Sequence, residues 1–307
     1  MNYLLFALGL GLLTVSGDRL VVSAVQLGQR FGMSSLAVGV LVVGLGTSLP
    51  ELATSLDAAL QGYPGAAIGN VVGSNIANIL LVLGLGALWM PMRVEVRPAR
   101  RDLPWLLVAC AVTLAMVLGG TIERWMGLVL TFGLGIYIWR LLYEPAGVEA
   151  GSAGPAATAD GIWRAALWSI VAVVGLVGGA HVLVLGAVGI AADFGISESV
   201  TGLLLLALGT SLPELTVTVA SLLRKQADVA VGNVIGSTLF NLLGILGVTA
   251  LVTPLPVPQV IADVHIWIML GAVAIAVLFI RTGWHINRVE GLCLLVAYPV
   301  YLAYLMS

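Results

Sequence analysis

Apolar residues in this chain run in blocks too long for an ordinary soluble core helix. Stretches of about 20 mostly apolar residues, enough for a helix to cross the hydrocarbon of a bilayer, recur from one end to the other. Short pieces containing proline, glycine or charge separate them. They predict ten spans, at 3–29, 35–60, 66–89, 103–119, 125–143, 162–191, 199–222, 228–252, 264–281 and 287–306. The longest connection, 144–161 (EPAGVEAGSAGPAATADG), is rich in glycine and alanine and reads as a flexible linker. It divides a first five-helix unit, 1–143, from a second, 162–307. The expected fold class is therefore all-α and polytopic.

Composition agrees. Hydrophobic residues make up 60% of the 307 and charged residues 9%, with mean hydropathy +1.10. A soluble domain carries roughly 25% charged residues, so the main solvent of this chain is lipid. The net charge of -2 says nothing about nucleic acid, and no basic run points to a nucleic-acid partner, so none is expected. Met1-Asn2-Tyr3 has no positive charge ahead of the first apolar block, so that block is expected to remain as a span. Cys110 and Cys293 both sit in apolar stretches and read as buried free thiols.

Basic residues orient the spans. The connections after spans 1, 3, 5, 7 and 9, with adjoining helix ends, hold Arg30, Arg93, Arg97, Arg100, Arg101, Arg140, Arg164, Arg224, Lys225, Arg281 and Arg288. The other set holds Arg124 alone, and Arg19 lies within the first span. Such asymmetry places the basic set in the cytoplasm and both termini away from it. Trp89, Trp105, Trp125, Trp139, Trp163 and Trp284 fall near span ends, as interfacial anchors do.

The chain also repeats itself. GMSSLAVGVLVVGLGTSLPELATSL from Gly32 matches GISESVTGLLLLALGTSLPELTVTV from Gly195, and GNVVGSNIANILLVLG from Gly69 matches GNVIGSTLFNLLGILG from Gly232. The offset is constant (214 − 51 = 163; 241 − 78 = 163), and about 23 of 53 positions from Gly32 to Gly84 are identical without a gap. Five spans separate equivalent positions. An odd number reverses direction, so the two copies should run oppositely through the membrane. Inverted repeats of this kind hold a substrate site near the midplane, between the copies.

Two carboxylates mark where that site lies. Glu51 and Glu214 are equivalent positions inside apolar spans. Each costs at least about 2.5–3.5 kcal/mol to insert on translocon scales. Thr47, Ser48 and Glu51 share a helix face, as do Thr210, Ser211 and Glu214. Pro50 and Pro213 lack an N–H, which frees the carbonyls of Gly46 and Gly209 and predicts a break or kink. The next span adds Ser74 and Asn78 at i, i+4, and its copy adds Ser237 and Asn241. Gly69-x-x-x-Gly73 and Gly232-x-x-x-Gly236 offer small surfaces for close helix packing. Two bidentate glutamates and two freed carbonyls near Thr47 and Thr210 supply six oxygens. Calcium takes 6–8 in flexible arrangements, and the lack of His or Cys argues against zinc and copper. Asp18 reads as a structural pair with neighbouring Arg19, with His181 as its repeat counterpart. Asp57 points away from Glu51, toward the outer membrane face, and the arginines at 93–101 read as topological signals.

With G-T-S-L-P-E and G-N-x-x-G-S each present twice, the chain resembles the calcium/cation antiporter superfamily, especially its compact prokaryotic sodium/calcium exchangers. The stretches 32–88 and 195–251 resemble the family's two alpha repeats. The resemblance implies that Glu51 and Glu214 bind calcium and sodium in competition. It adds backbone oxygens of Thr47 and Thr210 for calcium. Sodium or the counter-cation would take Ser48, Ser74, Ser211, Ser237, Asn78, Asn241 and the carbonyls of Gly44 and Ala207. It also implies that spans 1 and 6 slide against spans 2, 3, 7 and 8. Asn241 departs from those exchangers that carry aspartate there, which leaves the counter-ion, sodium or proton, open. The linker is too short for the regulatory insert of animal exchangers. The expected function is a sodium/calcium antiporter in a prokaryotic inner membrane, with small inorganic cations and the bilayer as its partners and no cofactor. The alternatives are a calcium/proton antiporter and a passive cation channel. No Ser-His-Asp, paired-Asp or H-E-x-x-H signature supports an intramembrane enzyme.

Overall fold

A computed structural model describes residues 1–143, 159–194 and 209–305. Most of the linker and the stretch 195–208, which carries Ala207 and the first part of the expected seventh span, lie outside the described residues. The helices are α1 (Asn2–Arg30), α2 (Ser35–Thr47), α3 (Leu49–Leu60), α4 (Pro64–Trp89), α5 (Val96–Leu118) and α6 (Arg124–Tyr143) in the first half. The second half has α7 (Ala159–Asp193), α8 (Leu212–Leu223), α9 (Ala227–Val252), α10 (Ile261–Arg281) and α11 (Arg288–Leu305). Among the described residues, 8 helices are long and apolar enough to cross a membrane, and α2 with α3, bent by 42°, makes up to 9. The chain is an integral membrane protein.

The apolar windows locate these helices well, with one clear difference. The fourth span was expected to begin at 103, but α5 begins at Val96 and takes Arg97, Arg100 and Arg101 into its first turns. Charge ends a hydropathy window, whereas a helix tolerates charge at its end where long side chains reach the interface. Nor are these arginines only topological signals. Arg101 forms an ion pair at 2.6 Å with Asp102, which is fully buried, and Arg100 lies over the Trp284 ring at 5.3 Å.

The molecule is not wholly helical. Four two-residue strands, β1 (Met92–Arg93), β2 (Thr121–Ile122), β3 (Leu255–Pro256) and β4 (His285–Ile286), form two antiparallel ribbons, β1 with β4 and β2 with β3. Each ribbon joins a connection of the first half to one of the second. Strands this short carry no readable alternation.

Two apolar clusters divide the interior. The larger involves α2, α4, α5, α6, α9, α10 and α11. The smaller brings α1 and α7 together with parts of α2, α8 and α9. Within it α1 and α7 approach through glycine. A Cβ on Gly179 would stand 2.9 Å from the Leu13 backbone nitrogen, and Gly9 abuts the Leu183 backbone just as closely. Ser169 also donates to Ser23 across this contact at 2.9 Å. Small residues bring apolar helices together where no hydrophobic force separates lipid from side chain.

The same device seats α2 on α9. Gly39 and Gly44 face Val229–Ser237, while Gly232 and Gly236 face Leu36–Val40. Thus the second G-x-x-x-G pattern is a packing surface. Nothing among the described residues lies within 4 Å of a Cβ at Gly69 or Gly73. Cys110 is buried as expected, but Cys293 is exposed on the protein surface, because an apolar window does not distinguish lipid-facing from core-facing positions.

At Gly236 an added Cβ would lie 2.5 Å from the Val40 backbone. Gly236→Ala should therefore cost about 1–3 kcal/mol, as overpacking does, and lower the thermal unfolding midpoint in detergent. Gly271→Ala, with nothing described within 4 Å, should leave that midpoint unchanged or slightly raised.

Candidate cation site between the two halves

Both glutamates begin a helix at a break. After α2 the chain turns at Ser48 (φ -86°, ψ 5°), and α3 opens with Leu49, Pro50 and Glu51. Ser211 (φ -88°, ψ 2°) repeats the turn, and α8 opens with Leu212, Pro213 and Glu214. Proline in a first helical turn loses no internal hydrogen bond. A carboxylate there faces the positive end of the helix dipole. One local rule therefore produces the same arrangement twice, and the breaks expected from Pro50 and Pro213 are present.

The neighbouring helices are also irregular. α2 contains a π-helical turn at Gly39–Gly44, α4 one at Asn78–Leu83 and α9 one at Phe240–Ile245. Such turns widen the backbone and recur at functional positions. The turns in α4 and α9 begin at or beside the equivalent residues Asn78 and Asn241.

Contacts stitch the two copies together. Ser48 donates to Glu214 Oε1 at 3.3 Å. Ser237 donates to the Gly44 carbonyl at 3.2 Å, and its hydroxyl lies 3.4 Å from that of Thr47. Thr47 Oγ1 is also 3.3 Å from both the Gly44 carbonyl and Asn233 Oδ1. Asn241 Nδ2 donates to Ser74 Oγ and Asn75 Oδ1, each at 3.0 Å. Thus residues of the first copy, Gly44, Thr47, Ser48 and Ser74, each meet residues of the second, Ser237, Glu214 and Asn241. Glu51 is joined to the Ser74 side by geometry: Asn70 donates to its carbonyl, and Ser74 donates to the Asn70 carbonyl. Glu51 is 1% exposed and Glu214 0%.

Several oxygens in this buried region have no donor. Glu51 Oε2, Glu214 Oε2, Asn78 Oδ1, Asn241 Oδ1 and Ser211 Oγ are buried without a hydrogen-bond partner among the described residues. An unpaired buried polar group costs roughly 1–3 kcal/mol, and more when it is charged. A positive ion is the kind of ligand that would satisfy carboxylate, amide and hydroxyl oxygens together. Thr210 stands beside Ser211 at the second break and is half-buried; Ala207 lies outside the described residues.

One reading changes, that of Asp18, and Asp57 lies away from Glu51 as expected. Asp18 pairs not with Arg19 but with Arg224, through two hydrogen bonds of 2.6 and 2.8 Å. Arg19 instead lies over the Trp168 ring at 5.8 Å. Asp57 is exposed and accepts from Gln61 at 2.7 Å, one turn along its own helix.

Sequence reasoning missed two other residues. Asn70 donates to the Glu51 carbonyl at 3.1 Å and to Ser55 Oγ at 2.8 Å. Asn233 repeats this with the Glu214 carbonyl at 3.1 Å and Thr218 Oγ1 at 3.0 Å. Their signal was the asparagine of G-N-x-x-G-S, identical in both copies.

Known proteins resemble this chain along its length. The family model described as sodium/calcium exchanger protein matches residues 1–143 and 164–307. The chain is 34% identical to the putative antiporter CaxA of Alkalimonas amylolytica, covering 97% of each protein. It is 35% identical to the inner membrane protein YrbG of Escherichia coli, over 98% of this chain and 95% of that one. With the sodium/calcium exchanger MaX1 of Methanosarcina acetivorans it shares 31% identity over 99% and 98%. Its structure resembles that of the sodium-calcium exchanger NCX_Mj soaked with zero sodium and calcium, with TM-score 0.87, 31% identity and coverage of 99% and 98%. A site built twice around a glutamate, on a fold shared along its whole length with these exchangers, leads to one assignment: the chain belongs to the sodium/calcium exchanger family.

Proposed function

We propose that this protein is a secondary antiporter that exchanges calcium for sodium across a prokaryotic inner membrane, as a carrier without enzymatic activity. The observation that carries this reading is the pair of buried carboxylates, Glu51 and Glu214, at equivalent helix breaks with oxygens that lack donors. Two carboxylates balance one calcium ion. Without it their mutual repulsion favours sodium or a proton in its place. That competition is what an exchanger requires, since the carrier then does not cross empty. The calcium ligands are Glu51, Glu214 and the backbone oxygens of Thr47 and Thr210. Sodium takes Ser48, Ser74, Asn78, Ser211, Ser237, Asn241 and the carbonyls of Gly44 and Ala207.

In this reading ten spans form two inverted five-helix halves, and both termini face away from the cytoplasm. The ribbons support the parity. β1 and β4 must share one membrane face, as must β2 and β3. Both conditions hold if the chain between α7 and α9 crosses the membrane once. Offset by 163, β1 corresponds to β3 (92 + 163 = 255) and β2 to β4 within one residue (122 + 163 = 285). The two ribbons are then copies of each other on opposite faces. Alternating access fits the division of the interior, because α1 and α7 pack on each other in a cluster apart from the larger core. If three sodium ions exchange for one calcium, one charge crosses per cycle, worth about 2.3 kcal/mol per 100 mV.

Proton exchange is the second reading. Both Asn241 amide hydrogens are used within the protein, so Glu51 and Glu214 are the carboxylates in the cluster that could carry protons. Calcium-45 uptake into proteoliposomes separates the two. Uptake should require internal sodium and stay at background with potassium inside or with a pH gradient alone. Uptake driven by the pH gradient without sodium would replace sodium by protons.

Glu51→Gln and Glu214→Gln should each abolish uptake. They should also remove the calcium-induced rise in unfolding temperature, which corresponds to about 2.7 kcal/mol for the parent protein at 100 times its Kd. A variant that keeps that rise would take its glutamate out of the calcium site.

A further inference from the structure

We infer that Asn70 and Asn233 are positioning residues that set the size and affinity of the cation site without touching the ion. The inference rests on the calcium site proposed above.

Each asparagine spends both amide hydrogens on the turn that begins with a glutamate. Asn70 holds the carbonyl of Glu51 and the hydroxyl four residues later, Ser55; Asn233 holds the carbonyl of Glu214 and the hydroxyl of Thr218. Glu51 + 163 is Glu214, Ser55 + 163 is Thr218 and Asn70 + 163 is Asn233, so this is one clamp built twice. Where the copies differ, at Ser55 and Thr218, one hydroxyl replaces another. Ser55, Thr218 and Asn233 are 0% exposed. Lost donors there would leave buried acceptors unpaired.

The clamps lie on the helices that carry the other oxygens. Asn70, Ser74 and Asn78 are spaced i, i+4 and i+8 on α4, as are Asn233, Ser237 and Asn241 on α9. With a rise of about 1.5 Å per residue, each asparagine sits roughly 6 Å along the helix axis from its serine. Ser74 also donates to the Asn70 carbonyl at 2.7 Å. The clamp therefore fixes the height of each glutamate turn against the serine and asparagine beyond it. On the second side it reaches further, since Asn233 Oδ1 lies 3.3 Å from the Thr47 hydroxyl of the opposite copy. Calcium ligation needs oxygens at about 2.3–2.6 Å, and cavity size discriminates among cations. A slip of one glutamate turn along its neighbour should therefore weaken binding and relax size selection.

The test uses the full chain in detergent and in proteoliposomes, with Asn70→Ala, Asn233→Ala, Ser55→Ala and Thr218→Val. Half-saturation by calcium and by barium is read from uptake, and the ion-free unfolding temperature from a thermal melt. For the asparagine variants the calcium half-saturation should rise about tenfold and the calcium-over-barium preference should fall severalfold. Their ion-free unfolding temperature should stay within a few degrees of the parent's. Ser55→Ala and Thr218→Val, which remove one arm of each clamp, should shift both readings the same way by less, and they decide the matter if the alanine variants do not fold. Unchanged half-saturation overturns the inference, as does an equal shift for both ions, which would mark the asparagines as supports of folding alone. If Glu51→Gln and Glu214→Gln also leave calcium binding intact, the site itself has been misassigned, a separate failure from that of the clamps.

Discussion

Everything in this structure is arranged around two carboxylates held in a membrane protein with no basic partner at their side. Neither Glu51 nor Glu214 has an arginine or lysine contact among the described residues. Within the protein, the groups that face them are helix dipoles and hydroxyls. Helix breaks supply the dipoles, because each glutamate stands in the first turn of a new helix. Ser48 supplies a direct hydroxyl contact to Glu214. One oxygen on each glutamate remains without a hydrogen-bond partner among the described residues.

Neither half is sufficient alone. The carbonyl of Gly44 meets Ser237, and the serine of α4 meets Asn241 of α9. Glycine makes this interdigitation possible, because backbone-to-backbone approach along α2 and α9 leaves no room for a Cβ at Gly39, Gly44, Gly232 or Gly236. The two ribbons join the halves again, at the connections. A duplicated sequence thus becomes a single object by exchanging contacts between its copies.

The parts legible in the sequence are those with local causes. Apolar length marks the helices, Pro50 and Pro213 mark the breaks, and the constant offset makes Glu51 and Glu214 partners. What escaped reading has distant or subtle causes. Asp18 and Arg224 are 206 residues apart, and nothing near Asp18 announces that its partner is not Arg19. The π-helical turns leave no compositional mark. Asn70 and Asn233 sit in a recognisable motif, yet their contacts run to a backbone carbonyl and a hydroxyl on another helix, a relation visible only in three dimensions. The start of α5 was displaced because arginine ends a hydropathy window without ending a helix.

The Asp18–Arg224 pair carries a consequence for motion. It ties the middle of α1 to the residue just past α8, with side chains 46% and 41% exposed. Any travel of α1 along α8 separates these charges. The two hydrogen bonds are charge-assisted, which makes them stronger than neutral ones. A tether of this kind would favour whichever position of α1 keeps the pair closed.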